Sequence, residues 1–220
     1  DTALGRRRTG IQGPPADVEV PRAADIEREP ITVVCSKKGW LRGMKGHLAP
    51  DAEIKYREGD EERFRFHAQT TDRLLALASD GRVYTLEGDK LPGGRGAGEP
   101  IRLAADIAAD AEIMALMIAP AEGKMLMATS DGRGFLAPVA GLSAQTRAGR
   151  QVLNVTAPAK AVIMYPVPAD ADSIAVVGEN RRLLIFSTDD LPEMGRGKGV
   201  ILQRYKGGGL ADAIAFKLED

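Results

Sequence analysis

Short apolar runs recur along this chain, and a tight turn follows each of them. The four runs are Thr32–Cys35, Leu74–Leu77, Met125–Ala128 and Ile174–Val177, and the four turns are Lys38–Gly39, Asp80–Gly81, Asp131–Gly132 and Asn180–Arg181. A four-residue apolar run bounded by turn residues is typical of a buried β-strand. Asp-Gly is a two-residue hairpin signal, because glycine accepts the positive φ that such turns require. The pattern therefore predicts four repeated hairpins.

A further strand candidate closes each repeat. These candidates are Phe64–Phe66, Ile113–Met117, Ala161–Tyr165 and Ala213–Phe216. The alternation of polar and apolar residues in Arg63–His67 is that of a half-buried strand. The run Ala104–Ala111 is rich in alanine and could form a short helix. We interpret it as a connection, because its counterparts Asn154–Ala159 and Tyr205–Leu210 contain proline or glycine.

The repeat length points to a propeller-like fold. Loops rich in glycine and basic residues place Gly46, Gly98, Gly149 and Gly199 at intervals of 52, 51 and 50 residues. A period near 50 residues with several short strands per unit is typical of propellers. Each unit needs its neighbours to bury its apolar faces, so we expect one all-β domain of about four to five blades over residues 31–220.

Residues 1–30 lack this periodicity and are interpreted as a linker or tail. They contain Gly13-Pro14-Pro15 and the basic run Arg6–Arg8, a composition typical of connecting segments. The basic run is either a solvated group of charges or an additional phosphate contact.

Charge is distributed unevenly along a nearly neutral chain. The net charge is −1. Four windows around the turns and glycine loops (36–47, 90–103, 141–150 and 193–206) contain 13 of the 30 Lys and Arg residues but only 2 of the 31 Asp and Glu residues. The rest of the chain is correspondingly acidic. Surfaces of opposite sign on a neutral protein suit local attraction of a polyanion.

The glycine loops are the main candidates for a binding site. A single such loop could simply satisfy turn geometry, but four at a constant period favour phosphate binding by glycine backbone and by Arg or Lys side chains. None has the pattern of a nucleotide-binding loop. The leading candidate phosphate contacts are Arg42, Lys45, Arg95, Arg102, Arg147, Arg150, Arg196 and Lys198. Second-rank candidates at the hairpin turns are Lys37, Lys38, Arg82, Arg133, Arg181 and Arg182.

Residues for other chemistry are sparse. The two histidines, His47 and His67, have no metal-ligand spacing, and no Ser/His/Asp arrangement is suggested. Cys35 lies in a strand-like run and is expected to be a buried thiol. Trp40 either packs in the fold or contacts a partner. Aromatic residues make up only 5% of the chain, too few for stacking on single strands, so duplex DNA held through its backbone is the better-matched ligand.

Several stretches resemble the C-terminal domain of the A subunit of bacterial DNA topoisomerase IV, a relative of the gyrase A subunit. They are Ile31–Arg42 with Lys45–His47, Leu91–Pro100, Asp131–Phe135 with Arg147–Gly149, and Asp190–Gly199. Residues Ala3–Thr9 resemble the exit from the catalytic core of that subunit. The chain lacks the Gln-Arg-Arg-Gly-Gly-Lys-Gly box of the gyrase subunit, which favours the topoisomerase IV branch.

The resemblance implies a β-pinwheel, in which neighbouring blades exchange outer strands and a basic rim bends duplex DNA without strong wrapping. It implies a domain without an active site of its own, which presents the transported DNA segment and discriminates DNA topology. Strand cleavage, ATP and Mg²⁺ would act elsewhere in the holoenzyme, so no cofactor is expected in this segment.

The expected partners are double-stranded DNA, the B (ATPase) subunit, and the rest of the A subunit. No apolar stretch approaches the roughly 18 residues that span a bilayer, and a cytoplasmic, nucleoid-associated protein is expected. The alternative function is a propeller-like scaffold that docks a chromosome-organising protein through its acidic surface, since propellers often serve in this way.

Overall fold

The computed structural model describes residues 26–93 and 95–219. Its regular secondary structure consists of β-strands and four short 3₁₀ turns. The strands are β1 Pro30–Ser36, β2 Trp40–Lys45, β3 Glu62–Gln69, β4 Arg73–Ala78, β5 Arg82–Glu87, β6 Glu99–Pro100, β7 Ile113–Ile118, β8 Lys124–Thr129, β9 Arg133–Pro138, β10 Arg150–Gln151, β11 Ala161–Pro166, β12 Ser173–Gly178, β13 Leu183–Ser187, β14 Val200–Ile201 and β15 Leu210–Phe216. Single turns of 3₁₀ helix occupy Gly88–Lys90, Ile101–Leu103, Val139–Gly141 and Thr188–Asp190.

These strands form four antiparallel sheets, one for each sequence repeat. The strand orders are β3-β1-β2-β6 in sheet 1, β7-β4-β5-β10 in sheet 2, β11-β8-β9-β14 in sheet 3 and β15-β12-β13 in sheet 4. Every sheet therefore contains the predicted hairpin with the predicted third strand beside it, and in the first three sheets the hairpin is central. The region 104–111 connects β6 to β7 without an α-helix, so its interpretation as a connection is confirmed.

The fourth strand of each of the first three sheets comes from the following repeat. After its hairpin, the chain crosses to the preceding sheet, adds a two-residue strand there and returns to its own sheet. In this way β6, β10 and β14 pair with β2, β5 and β9 respectively. We call the segments 91–103, 142–153 and 191–202 the exchanged loops. They establish the strand exchange that the resemblance to pinwheel domains implied.

Three hydrophobic clusters join the sheets in sequence. Sheet 1 packs on sheet 2 around Val33 and Tyr84, sheet 2 on sheet 3 around Leu75 and Phe135, and sheet 3 on sheet 4 around Ile174 with its neighbours. In the described residues no cluster joins sheet 4 to sheet 1, so the four sheets form an open series. Sheets 2 and 3 are covered on both faces, which explains why their central strands are continuous apolar runs and not alternating ones.

All four hairpins turn with the same geometry. Gly39, Gly81 and Gly132 have φ between 80° and 86°, and Arg181 occupies the equivalent position with φ of 61°. The left-handed region is unusual for a residue with a side chain. The fourth turn, which the missing glycine set apart in the sequence, is therefore conformationally like the others.

The outer face of sheet 1 is covered by the segment that follows β2. The hydroxyl of Thr32 donates to the carbonyl of Gly46 at 2.8 Å and accepts from the amide of Leu48 at 2.9 Å. Arg65 also donates to the carbonyl of Ala52 at 3.0 Å. The Gly46 loop thus folds back on its own sheet and is not equivalent to the other three glycine loops. The predicted set of four equivalent basic loops is corrected to three.

Two expectations fall partly or wholly outside these observations. Residues 1–25, which include Arg6–Arg8 and most of the predicted linker, lie outside the described part of the chain, so the domain boundary stays a prediction. Between residues 26 and 219, with residue 94 left out, no helix has the length and apolar character needed to cross a bilayer.

Candidate nucleic-acid interface

The three exchanged loops occupy the same position on three successive sheets. Each covers the outer edge of a hairpin, so together they follow the perimeter of the series of sheets. Gly98 and Gly199 have φ of 83° and 72°, and a Cβ at either position would overlap a carbonyl oxygen of the underlying strand, that of Leu41 or Gly134. Only glycine fits such an approach, which explains why each loop carries a glycine at this point.

Exposed cations project from all three loops. Apart from Arg102, which bonds to backbone carbonyls, they are Arg95 on the first loop, Arg147 and Arg150 on the second, and Arg196 and Lys198 on the third. Arg147 lies 3.3 Å from the carboxylate of Asp106, with both side chains about 60% exposed. Such an exposed pair contributes little and can be exchanged for a phosphate. The structure thus brings five of the predicted contacts onto one perimeter.

A polar cleft of about 230 Å³ is enclosed by the hairpin of sheet 3, by the segment 154–159 that follows the second exchanged loop, and by Lys198 of the third exchanged loop. Its lining includes Arg133, Asn154 and Lys198 together with Asp131. At its edge, Arg196 donates to the side-chain oxygen of Asn154 at 3.3 Å. Lys198 and the Asn154 amide thus lie beside one cleft, whereas Asp131 adds a carboxylate to its lining and Arg133 already donates to the carbonyl of Gly199.

Arg42 has a structural position in place of the phosphate contact expected from the sequence. Its side chain is buried, with an exposed fraction of 5%. The guanidinium donates to the carbonyl of Gly96 on the first exchanged loop and, at 2.7 Å, to that of Lys55. It also lies 6.0 Å from the ring centre of Tyr56. Arg42 therefore fastens the exchanged loop and is withdrawn from the candidate contacts.

Other predicted cations also bond to the protein itself. Arg102 donates to the carbonyls of residues 107, 108, 109 and 111, which stabilises the return of the first loop. Arg82 donates to the carbonyl of Ala148 at 2.9 Å, and Arg133 to that of Gly199 at 3.3 Å. These side chains hold loops in place, so their contribution to binding is secondary at most.

The remaining candidates lie away from the exchanged loops. Lys37 pairs with Glu61, and Lys45 lies 3.6 Å from Glu29. Lys38, Arg181 and Arg182 are exposed at the hairpin turns of sheets 1 and 4. None of the five is on an exchanged loop, so the structure does not group them with the perimeter cations.

Two cations that the sequence analysis did not single out extend the perimeter. Arg204 and Lys206 are exposed directly after the third exchanged loop. Gln203 and Tyr205, which immediately precede Arg204 and Lys206 respectively, lie against Gly132 in the hairpin turn of sheet 3. Both cations lie within the basic window 193–206, so their charge was the available signal, although no glycine motif marks them.

The histidines and the cysteine have structural surroundings. His47 and His67 stack with ring centres 4.4 Å apart, and each directs Nε2 to a backbone carbonyl, that of Ala68 and Leu48 respectively. Cys35 is fully buried, and burial raises the pKa of its thiol to about 12. The prediction of a buried thiol is confirmed. The described residues contain no cluster of His, Cys, Asp or Glu with metal-binding geometry.

The raised pKa predicts that the Cys35 thiol stays protonated and unreactive in the folded domain. The unfolded thiol ionises near its ordinary pKa, so folding protects it most between that value and about 12. We expect thiol reagents at pH 9 to modify the native domain far more slowly than the denatured chain. Equal rates in the two states would contradict the buried position.

Removal of the Arg42 guanidinium is expected to destabilise the fold. Arg42→Met keeps much of the aliphatic packing but leaves two loop carbonyls without a donor, which costs about 2–3 kcal/mol. Urea unfolding measures the change. Arg95→Met, at an exposed position on the exchanged loop that Arg42 fastens, is the matched control, and its effect should be within about 0.5 kcal/mol. Equal effects of the two substitutions would contradict the fastening role of Arg42.

Comparison with known proteins agrees with this architecture. A family model described as the DNA gyrase C-terminal domain, β-propeller, matches residues 123–168 and 172–215. The A subunit of DNA topoisomerase 4 from Rickettsia conorii is 41% identical over 100% of this chain, and that from Caulobacter vibrioides is 42% identical over 97%. The chain belongs to the family of C-terminal domains found in the A subunits of gyrase and topoisomerase IV. It spans 30% and 29% of the lengths of these two relatives.

Solved structures place the domain in the same fold. The C-terminal domain of Escherichia coli ParC superposes with a TM-score of 0.76 at 26% identity, over 86% of this chain and 80% of that one. A C-terminal domain of DNA topoisomerase IV gives a TM-score of 0.73 at 18% identity, over 89% and 64%. The latter likeness concerns the fold alone. The predicted family and all-β pinwheel class are thus confirmed.

Proposed function

We propose that this domain binds duplex DNA along the perimeter formed by its three exchanged loops and makes no bond-breaking contribution itself. The observation that carries the proposal is the equivalent placement of five exposed cations on three consecutive sheets. Because a duplex presents phosphates along its whole length, a row of cations at repeated positions suits its backbone. An open series of sheets with cations along its outer edge also favours a bent path.

In the complete protein, the domain would present the transported DNA segment to the cleavage core and help to discriminate DNA topology. This role follows from membership of the A-subunit family, whose relatives are named as topoisomerase subunits. The B subunit, together with the rest of the A subunit, would then be its partner on the nucleoid, and ATP and Mg²⁺ would act outside this domain.

Backbone contacts predict sequence-independent, salt-sensitive binding. With about 4 to 6 phosphates neutralised, a plot of log affinity against log salt should have a slope of about −4 to −5. Fluorescence anisotropy on labelled duplexes of about 40 base pairs and unrelated sequence, between about 50 and 200 mM salt, measures it. Absence of binding at the lowest salt would contradict the proposal and leave the protein-docking scaffold as the working hypothesis.

A further inference from the structure

Within residues 26–93 and 95–219, sheet 4 has no counterpart of the fourth strand that completes the other three sheets. In sheet 3, the Leu136 amide donates to the carbonyl of Pro192 at 3.0 Å, and the Leu136 carbonyl accepts from the amide of Met194 at 2.8 Å. Ile185 occupies the position equivalent to Leu136, four residues after the hairpin-turn residue of positive φ. In the described chain no segment pairs with this outer edge of β13.

The direction of the free groups follows from the register. The Gly178 amide donates to the carbonyl of Arg182, and Val177 faces Leu183 in the same hairpin. Hydrogen-bonded and non-bonded pairs alternate in an antiparallel ladder. The amides and carbonyls of Leu183, Ile185 and Ser187 therefore point away from β12, toward the open edge.

Apolar side chains are exposed along this edge. Leu183 is 63% exposed and Ile185 is 45% exposed, whereas the equivalents of Leu183 in the first two sheets, Leu41 and Val83, are 1% and 0% exposed beneath their exchanged loops. Ile214 is 40% exposed. It lies on the same face of the sheet as Ile185, because both residues pair with Ala175. An unpaired edge with exposed apolar residues is a template for another strand.

The two ends of the edge carry opposite charges. Arg181 and Arg182 precede β13, and Asp189 and Asp190 follow it. An antiparallel copy of the same segment, centred on Ile185, would place each arginine pair beside the aspartates of the other copy. The sequence of the edge is therefore complementary to itself in charge and in apolar character.

Segments like those that fill the other edges are scarce in this chain. The first and third exchanged loops each begin with a Leu-Pro pair, Leu91-Pro92 and Leu191-Pro192, and these are the only two such pairs in the sequence. The loop after β2 has no such pair and already packs on sheet 1 through Leu48 and Ala52. Among the described residues every exchanged loop already fills an edge, and the complementarity of β13 to itself in charge and apolar character favours a second copy as its occupant.

We propose that β13 pairs with β13 of a second copy of this chain, antiparallel and centred on Ile185, to give one continuous six-stranded sheet. Each Leu183 then pairs with Ser187 of the other copy, and Arg181 faces Asp189. Such an interface is isologous, so it closes at two copies and does not propagate.

Sedimentation of the 220-residue chain tests this pairing. We expect a monomer–dimer equilibrium with a dissociation constant in the micromolar range, as for a small interface. Ile185→Pro removes an amide that points away from β12, so it should raise the dissociation constant at least about tenfold while the unfolding transition stays cooperative. Ile214→Thr, on the same face but on the far strand, is the control and should leave the dimer intact.

Two variants with reversed charges at opposite ends of β13 identify the interface, because only their mixture should restore the dimer. Arg181→Asp/Arg182→Asp and Asp189→Arg/Asp190→Arg should each be monomeric alone and should form a mixed dimer when combined. Asp is tolerated at the positive φ of position 181. A wild-type chain that stays monomeric throughout the micromolar range would overturn the proposal. So would a dimer that is unaffected by Ile185→Pro and by both charge exchanges, because it would use another surface.

Discussion

Gly199→Ala is expected to lower the free energy of unfolding by about 2–5 kcal/mol. The glycine has φ of 72°, and an added Cβ would overlap the carbonyl of Gly134 on β9 and lie 2.9 Å from the ring of Phe135. The left-handed conformation costs an alanine about 1–2 kcal/mol, and the steric overlap adds about 1–3 kcal/mol. Urea unfolding at neutral pH measures the sum.

Gly195, four residues before Gly199, provides the matched control. It lies on the same exchanged loop, has no atom within 4 Å of an added Cβ and is not among the residues of positive φ. Gly195→Ala should therefore change stability by no more than about 0.5 kcal/mol. If Gly199→Ala is also neutral, the third loop is not seated on β9 and the exchange of strands between repeats is wrong. If the variant is too unstable to purify, Gly98→Ala at the first loop tests the same contact.

Arg95→Gln combined with Arg196→Gln is expected to weaken duplex binding by about 60-fold at about 0.1 M salt. Each lost phosphate contact reduces the steepness of the salt dependence by about 0.9, so two contacts change it by about 1.8. The affinity extrapolated to 1 M salt should hardly change. Anisotropy titrations at four salt concentrations give both quantities.

Arg63→Gln with Arg73→Gln removes the same charge at positions outside the exchanged loops and outside the basic windows. Both side chains are exposed and neither lies on an exchanged loop. This control should keep the wild-type slope, because only local contacts release bound counterions. Equal loss in the two double variants would mean that net charge, and not the perimeter, governs binding. An unchanged slope in Arg95→Gln/Arg196→Gln would remove these loops from the interface.

The central architecture was accessible from sequence because it is local and repeated. The four apolar runs, their turns and the closing strands all appear where the periodicity predicts them. The conformation of the fourth turn was less evident, since Arg181 adopts the left-handed region without being glycine. Hydrogen bonds within the turn accompany this conformation: the Arg181 amide donates to the carbonyl of Gly178 at 2.8 Å, and the Gly178 amide donates to that of Arg182 at 3.0 Å.

The exchange of strands was suggested only by family resemblance. Its strands are two residues long, as in Glu99–Pro100 and Arg150–Gln151, and no periodicity can be read from two residues. The incorrect prediction that the Gly46 loop is equivalent to the other three has a related origin. Equal spacing along the sequence cannot distinguish a loop that crosses to a neighbouring sheet from one that folds back on its own.

The role of individual arginines could not be read from charge alone. Arg42 and Arg95 both lie in basic, glycine-containing windows, yet one is buried beneath the loop and the other is exposed upon it. The difference depends on which carbonyls the tertiary structure brings within reach of each guanidinium. Hydrogen bonds to loop carbonyls, made by the buried Arg42 and also by the exposed Arg102, therefore separate the cations that hold the loops from those available to phosphate.

The most direct test is site-specific photo-cross-linking to a labelled duplex at about 50 mM salt, where backbone binding is strongest. Cys35 is buried and unreactive, so a photoreactive maleimide can label single introduced cysteines. Ala148→Cys and Gly195→Cys place the probe on exchanged loops, and Thr71→Cys and Ala121→Cys place it on the exposed β3–β4 and β7–β8 connections. We predict cross-links from the first pair only. Equal cross-linking from all four positions, or cross-links from the second pair alone, would contradict DNA binding along the exchanged loops.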